Sequence, residues 1–428
     1  MRKVLIALLV VCLLGVGAAG VLSGSFDRSA LLTSAHAVAP AEESAPAAGA
    51  AETADTAEMP AEAADTAEAA EPAEEAFSVR VPDYDAMYAL HDPAEVIGTV
   101  DGRELTWGEY FYLYFSQAKQ MENYFTTMAQ YYGAAPDWAD QVEEDSDATF
   151  ADLIADSAEE TVRQIYAIEI LAEENGVELT EEQLAAIREQ EEQDILGSVG
   201  EGKTEEDFNA YIETIYLPRS LYDRMNRVNF LYRQGFVQAY GQNGELVEDD
   251  VALQYLTDNE YMAATHILLM TIDPATFAAL DEAAAAEKLQ QAQAFTDELR
   301  AIEDPEERLA RFAELKAEFC EDTGKEAYPD GYVFVPGTMV PEFESAILEL
   351  EDYQVSDPVK TDYGYHVIMR LPLDPDAVIE YSNDGTPLSA RSKAANEAYN
   401  QQLQDKFDSL DVEFAEGFEA PNLLDYLG

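Results

Sequence analysis

The spacing of apolar residues changes at about residue 260, and that change divides what the chain can fold into. Before it, large side chains recur at helical period; Trp107, Tyr110, Phe111, Tyr114, Phe115 and Tyr124 fall in one segment. After it, Thr265-His266-Ile267-Leu268-Leu269-Met270, Tyr332-Val333-Phe334 and Tyr365 to Leu371 read as short strands bounded by turn residues. The segments between them read as helices: 275–302, Pro305 to about Phe319, and Glu342 to Leu350. Strand, two helices, strand, helix, strand makes a small α+β unit with an antiparallel sheet over 260–373.

Residues 77–259 read as a mostly helical unit. Val100-Asp101-Gly102-Arg103-Glu104-Leu105 is a turn or hairpin, and Thr106 with Glu109 has the capping-box spacing. A second helix covers 149–175 with Gly176 as its stop. Thr180 with Gln183 opens a third and Thr204 with Asp207 a fourth, and Pro218 sits at the first turn of a fifth. The aromatic helix is expected to be packed core; Tyr112, Tyr131 and Tyr132 exceed one buried stripe and keep open an apolar groove for unfolded clients. Within 374–428, residues 388–416 read as a long polar helix, expected to pack on the helical unit.

Met1-Arg2-Lys3 precedes nineteen apolar or small residues, Val4 to Leu22, which span roughly 28 Å as a helix. Residues 1–25 are therefore expected to be an anchor or signal segment, with the remainder outside the membrane. Ala35-His36-Ala37 is a distant A-x-A-like site, so an uncleaved anchor is the preferred reading and secretion the alternative. Residues 26–76, dominated by Ala, Glu, Pro and Thr, have little to bury and are expected to be a disordered acidic linker.

The net charge is −63, from 24 Lys plus Arg against 87 Asp plus Glu. Such a surface repels phosphate backbones and excludes nucleic-acid binding. Of two cysteines, Cys12 lies in the apolar run, which leaves Cys320 as a packed free thiol. Metal-ligand clusters, phosphate loops and hydrolase triads are absent from the sequence; Glu143-Glu144-Asp145-Ser146-Asp147 lacks calcium-loop spacing. No cofactor is expected.

Four stretches resemble the parvulin family of peptidyl-prolyl isomerases: Ala264 to Leu268, Phe319 to Asp322, Pro336 to Glu344 and Val355 to Ile368. The last is the most specific, with Pro358-Val359-Lys360-Thr361 followed by Gly364-Tyr365-His366. The wider plan resembles the PrsA and SurA class of exported foldases. The resemblance implies a parvulin-like antiparallel sheet with helices beside a SurA-like helical chaperone domain.

It also implies a site. His266 and His366, the only histidines beyond residue 91, match the family's paired histidines, and Thr361 matches the hydroxyl that bonds them. Asp322 matches a Cys/Asp position that biases the electrostatics at the substrate carbonyl. Met339 and Phe343, four apart, match the walls of the proline pocket. The family's G-G-D-L-G turn is Tyr328-Pro329-Asp330-Gly331-Tyr332 here, so Tyr332 or Phe334 substitutes for its leucine. Tyr363 stands where a small hydroxyl residue is usual and narrows the pocket. Met270 to Pro274 carries no Lys or Arg, so phosphate recognition is not expected.

The chemistry agrees with these residue types. A prolyl bond isomerises over a barrier of ~18–20 kcal/mol set by amide resonance, and no covalent bond is broken. A catalyst must hold the ring and stabilise the twisted amide. The expected function is thus an extracytoplasmic foldase that isomerises Xaa-Pro bonds in unfolded exported proteins. A holdase with a weakly active or inactive parvulin domain is the alternative. Family analogy alone allows a homodimer.

Overall fold

The computed structural model describes residues 79–142, 146–276, 278–382 and 385–428. The expected anchor (1–25), the linker (26–76) and most of the acidic run 143–147 lie outside the described residues. Among the described residues, no helix is long and apolar enough to cross a membrane. The chain forms two compact units, one running to Gly235 and resuming over Leu403–Gly428, the other Phe236–Gln402.

The first unit is built on the helix Trp107–Tyr132, with Thr106 as its N-cap and left-handed Gly133 as its stop. Trp107, Tyr110, Phe111, Tyr112, Tyr114 and Phe125 are all at most 1% exposed; the first three turns carry large apolar residues on every side because they are buried on every side, and the C-terminal half is partly exposed. Tyr131 and Tyr132, at its end, are exposed. The helix Phe150–Glu174 packs along it. Thr149 with Asp152, Thr180 with Gln183 and Thr204 with Asp207 form reciprocal capping boxes. Glu109 does not turn back to Thr106 in this way. Its carboxylate accepts from Ser220 Oγ at 2.9 Å and pairs with Arg224 at 3.2 Å, because a buried charge is stabilised more by a cation than by a cap.

The sequence reading of one helix over 388–416 is corrected. The helix runs Ala390–Asp408, between two strands. Pro387–Ser389 pairs with Val378–Tyr381, and Val412–Phe414 pairs antiparallel with Val96–Val100, itself hairpinned to Arg103–Thr106. These residues pair with distant partners, which a local pattern does not register. Within the second unit, Ala394 and Ala395 pack on Val247 and Ala252, with Phe236 and Tyr240 beside them.

The second unit holds the small sheet. Its strands are β1 (Met262–Met270), β2 (Tyr332–Phe334), β3 (Val359–Lys360) and β4 (Gly364–Arg370), ordered β2-β1-β4-β3 and antiparallel throughout. Its helices are α1 (Glu282–Arg300), α2 (Pro305–Phe319) and α3 (Pro341–Leu348). The helix expected from residue 275 starts seven residues later. The Asp273 carboxylate accepts the amides of Ala275 and Thr276, which holds them in a turn, and Asp281 caps the helix instead.

Alternation along β1 and β4 separates two cores. Ile267, Leu269, Val367 and Met369 face Phe295, Leu299, Phe312 and Leu315 of α1 and α2. Met262, Ala264 and Ile368 face the other way, toward Phe334 and toward Phe343 and Ile347 of α3. Gly364 permits the close β1–β4 approach: a Cβ there would lie 2.2 Å from the Leu269 carbonyl oxygen.

Candidate active site

Both histidines arrive on the second of these faces. In the β1–β4 register His266 lies opposite Ile368 and His366 opposite Leu268, so the two are diagonal neighbours. Their Nδ1 atoms are 3.4 Å apart, and both side chains are buried. His366 Nε2 lies 2.9 Å from Thr361 Oγ1. His266 Nε2 lies 2.9 Å from Asp322 Oδ2. The four residues thus form one continuous chain, Thr361–His366–His266–Asp322.

Hydrogen-bond bookkeeping assigns its direction. The ionised Asp322 carboxylate can only accept, which makes His266 Nε2 a donor; with His266 Nδ1 as an acceptor, the Thr361 hydroxyl, whose oxygen also accepts the Tyr363 amide at 3.2 Å, donates to His366 Nε2. His366 then donates from Nδ1 to His266 Nδ1, and His266 donates from Nε2 to the carboxylate. In this arrangement every ring nitrogen has one role. Burial, and secondarily the nearby His266, depress His366 to about 3, so it stays neutral at physiological pH.

Asp322 sits just beyond α2. Its loop is tied to β1: the Glu321 amide donates to the Leu268 carbonyl at 2.9 Å, and the Leu268 amide donates to Cys320 Sγ at 3.4 Å. Cys320 is a buried free thiol, and its Sγ also lies 3.8 Å from the His266 carbonyl oxygen. The Asp322 carboxylate accepts from His266, from Tyr332 Oη at 2.7 Å and from the Gly324 amide at 2.9 Å. These three bonds, the one from His266 foremost, hold it far below the usual carboxylate range. Burial, and then the carboxylate it bonds, push the Tyr332 phenol up.

The apolar wall lies beside this chain. The Phe343 ring stands edge-on to His266 and His366, at centroid distances of 5.3 and 5.7 Å. Phe334 is 6.2 Å from Phe343, and Met339 and Tyr332 pack on the same cluster. Tyr363 is placed differently. Its side chain is 47% exposed, and only its backbone reaches the chain, through Thr361.

Several supporting contacts escaped the sequence reading. Glu344 accepts the amides of Gly337 and Met339, at 2.9 and 2.8 Å, and so fixes the turn that presents Met339. Lys316 is buried, and its ammonium bonds the carbonyls of Tyr328 and Pro329 at 2.8 and 3.0 Å, just ahead of Tyr332. Only the Gly324 contact had a sequence signal, the Asp-x-Gly spacing of an Asx turn. A separate open cavity of about 990 Å³, lined by Glu248, Asp249, Asp376 and Arg391, shares no residue with this site. There Arg391 is already paired with both aspartates.

Residues 266–371 match the rotamase family, described as a PPIC-type PPIase domain. The chain is 31% identical over 214 residues to the foldase protein PrsA of Oceanobacillus iheyensis, covering 50% of this chain and 59% of that one. It is 40% identical over 75 residues to the chaperone SurA of Burkholderia thailandensis, 17% of each. Among solved structures it is similar to PrsA from Bacillus subtilis, at 18% identity and a TM-score of 0.22, covering 74% of this chain and 91% of that one. The chain spans less than two thirds of the length of these curated relatives.

Proposed function

We propose that this chain, whose residues 266–371 are a parvulin-type prolyl isomerase domain, is a foldase that catalyses cis/trans isomerisation of Xaa-Pro bonds in unfolded exported proteins. One observation carries the reading: a buried, fully bonded histidine pair beside an apolar wall of Phe343, Phe334 and Met339. The wall takes the proline ring. The buried polar chain sets fixed dipoles next to the amide as it twists and its nitrogen regains a lone pair. Neither histidine has a proton to give without breaking the chain, so the pair orders the site and does not act as an acid/base couple. Nothing in this reaction requires a metal or cofactor.

The foldase reading extends to the whole chain through its similarity to PrsA and SurA proteins, with the helical unit holding clients. It places the folded part outside the cytoplasm, attached to the membrane by residues 1–25, which carry the basic start and the apolar run. The decisive measurement is exchange NMR on unphosphorylated Ala-Xaa-Pro-Phe peptides with the full-length protein and its Met339→Ala and Phe343→Ala variants. Acceleration by the parent chain, lost in the variants, supports the reading. A parent chain that leaves the exchange rate untouched refutes it.

A further inference from the structure

Tyr332 does more than line the pocket. Its ring lies 5.5 Å from the His266 ring and 4.7 Å from the Tyr328 ring. Its hydroxyl ends on Asp322 Oδ2, the same oxygen that receives His266 Nε2. A second observation shows that room is reserved for it. A Cβ on Gly324 would lie 2.7 Å from the Tyr332 hydroxyl oxygen, so a glycine stands where any other residue would push that hydroxyl away. A third concerns its approach: the buried Lys316 ammonium holds the Tyr328 and Pro329 carbonyls of the turn from which Tyr332 emerges.

We infer that Tyr332 is a positioning residue for Asp322, clamping the carboxylate so that it serves His266 as a fixed acceptor and is not spent on the substrate. Three donors converge on the carboxylate: the Tyr332 hydroxyl, the His266 ring and the Gly324 amide. Held in this way it remains an anion, His266 keeps its proton on Nε2, and the direction of the bonds back to Thr361 follows. Without the hydroxyl, Oδ2 keeps only the ring donor, and Asp322 is free to rotate or take up a proton. In the protonated state one oxygen becomes a donor and His266 is left with the weaker carbonyl acceptor, so the assigned tautomers lose their charged anchor.

The bearing of the clamp on catalysis rests on the isomerase reading; the clamp itself does not. The charged and titratable groups around Asp322 are His266 and His366 on the sheet, Tyr332 on β2, Lys316 on α2, and Cys320, Lys325 and Asp330 in the adjoining loop and turn. None of these except Tyr332 is altered by Tyr332→Phe, which preserves the ring.

The test uses the full-length protein with Tyr332→Phe and Gly324→Ala. The Asp322 carboxyl carbon shift and the His266 ring nitrogens are followed by NMR from pH 7 down to pH 3, and peptide isomerisation is measured over the same range. The expected result for Tyr332→Phe is that Asp322 protonates at higher pH than in the parent, with the His266 signals moving in step. Isomerisation falls several-fold below that point through kcat, with KM unchanged. Gly324→Ala gives the same shift with the tyrosine still present. A Tyr332→Phe protein whose Asp322 and His266 titrations overlay those of the parent overturns the clamp. A parent chain with no isomerase activity sinks the functional reading and leaves the NMR titration to decide the clamp. If Gly324→Ala does not fold, Tyr332→Phe decides alone.

Discussion

His266 and His366 are one hundred residues apart in the chain and 3.4 Å apart at their Nδ1 atoms. The contact exists because the β1–β4 register puts them on one face, displaced by two residues. A register shift of one would send one ring into the α1/α2 core and leave the other alone. The pair is also the source of an acid-side liability. Folding depresses His366 from 6.5 to about 3, chiefly by burial. The unfolded chain therefore binds the proton more readily than the folded one. The stability tied to this group is fully present above about pH 6.5 and is lost as pH falls toward 3. In urea unfolding at pH 7, 5 and 4, the parent should weaken by roughly a few kcal/mol, and His366→Gln should show a flatter profile.

Glu344→Gln should impair activity more than stability. Its carboxylate gathers two amides of the 337–339 turn, and a neutral amide holds them less well. The expected outcome is a loss of about 1–2 kcal/mol or less in unfolding free energy. Isomerisation should fall several-fold, with faster hydrogen exchange at Gly337 and Met339. Unchanged exchange at both amides would contradict this role.

Lys316→Met removes a buried ammonium and leaves the Tyr328 and Pro329 carbonyls without their donor. Two such carbonyls cost about 1–3 kcal/mol each when they stay dry. A drop in melting temperature is expected, together with a change in the Tyr332 aromatic environment. A variant as stable as the parent would mean that water replaces the ammonium at no cost.

In the helical unit, Arg224→Met strands Glu109, which is only 4% exposed and keeps the Ser220 hydroxyl, and it also removes the cation 3.4 Å from Glu169 and the donor to Tyr166 Oη. Breaking a buried pair from one side costs about 3–5 kcal/mol. Adding Glu109→Gln should recover the Glu109 share of that loss, with Glu169 still lacking its partner, so the double variant should melt above the single one. Thermal unfolding of the parent, both singles and the double closes the cycle. If the double variant melts below Arg224→Met, the pair is not the source of the destabilisation.

Much of the architecture was legible because it is written locally. The Thr-led caps at 149, 180 and 204 satisfy amides within three residues, and the helices begin where those signals stand. Three of the four strand positions in the small sheet followed from short apolar runs between turns; Val359–Lys360, too short to show a pattern, becomes a strand only by pairing with Tyr365 and His366. Where the reading failed, partners were distant. The 275–281 segment has helix-forming composition, but the Asp273 side chain draws the Ala275 and Thr276 amides into a turn. Val412–Phe414 reads as the end of a polar helix and instead completes a sheet with residues more than three hundred positions earlier.

The sequence by itself determined which side chains the site has to draw on. His266, His366, Asp322, Thr361, Met339 and Phe343 were legible from residue types and spacing that resemble a family. Only the tertiary structure decided how they are connected: that Asp322 is held by three donors, that Tyr332 supplies one of them, that Gly324 leaves room for it, and that Tyr363 stands exposed at the edge. The physical reason is the range of the forces involved. Helix period and capping act over a few residues and leave a trace in the order of the chain. A hydrogen bond acts over about 3 Å of space, and the register that brings its two ends together belongs to the folded sheet.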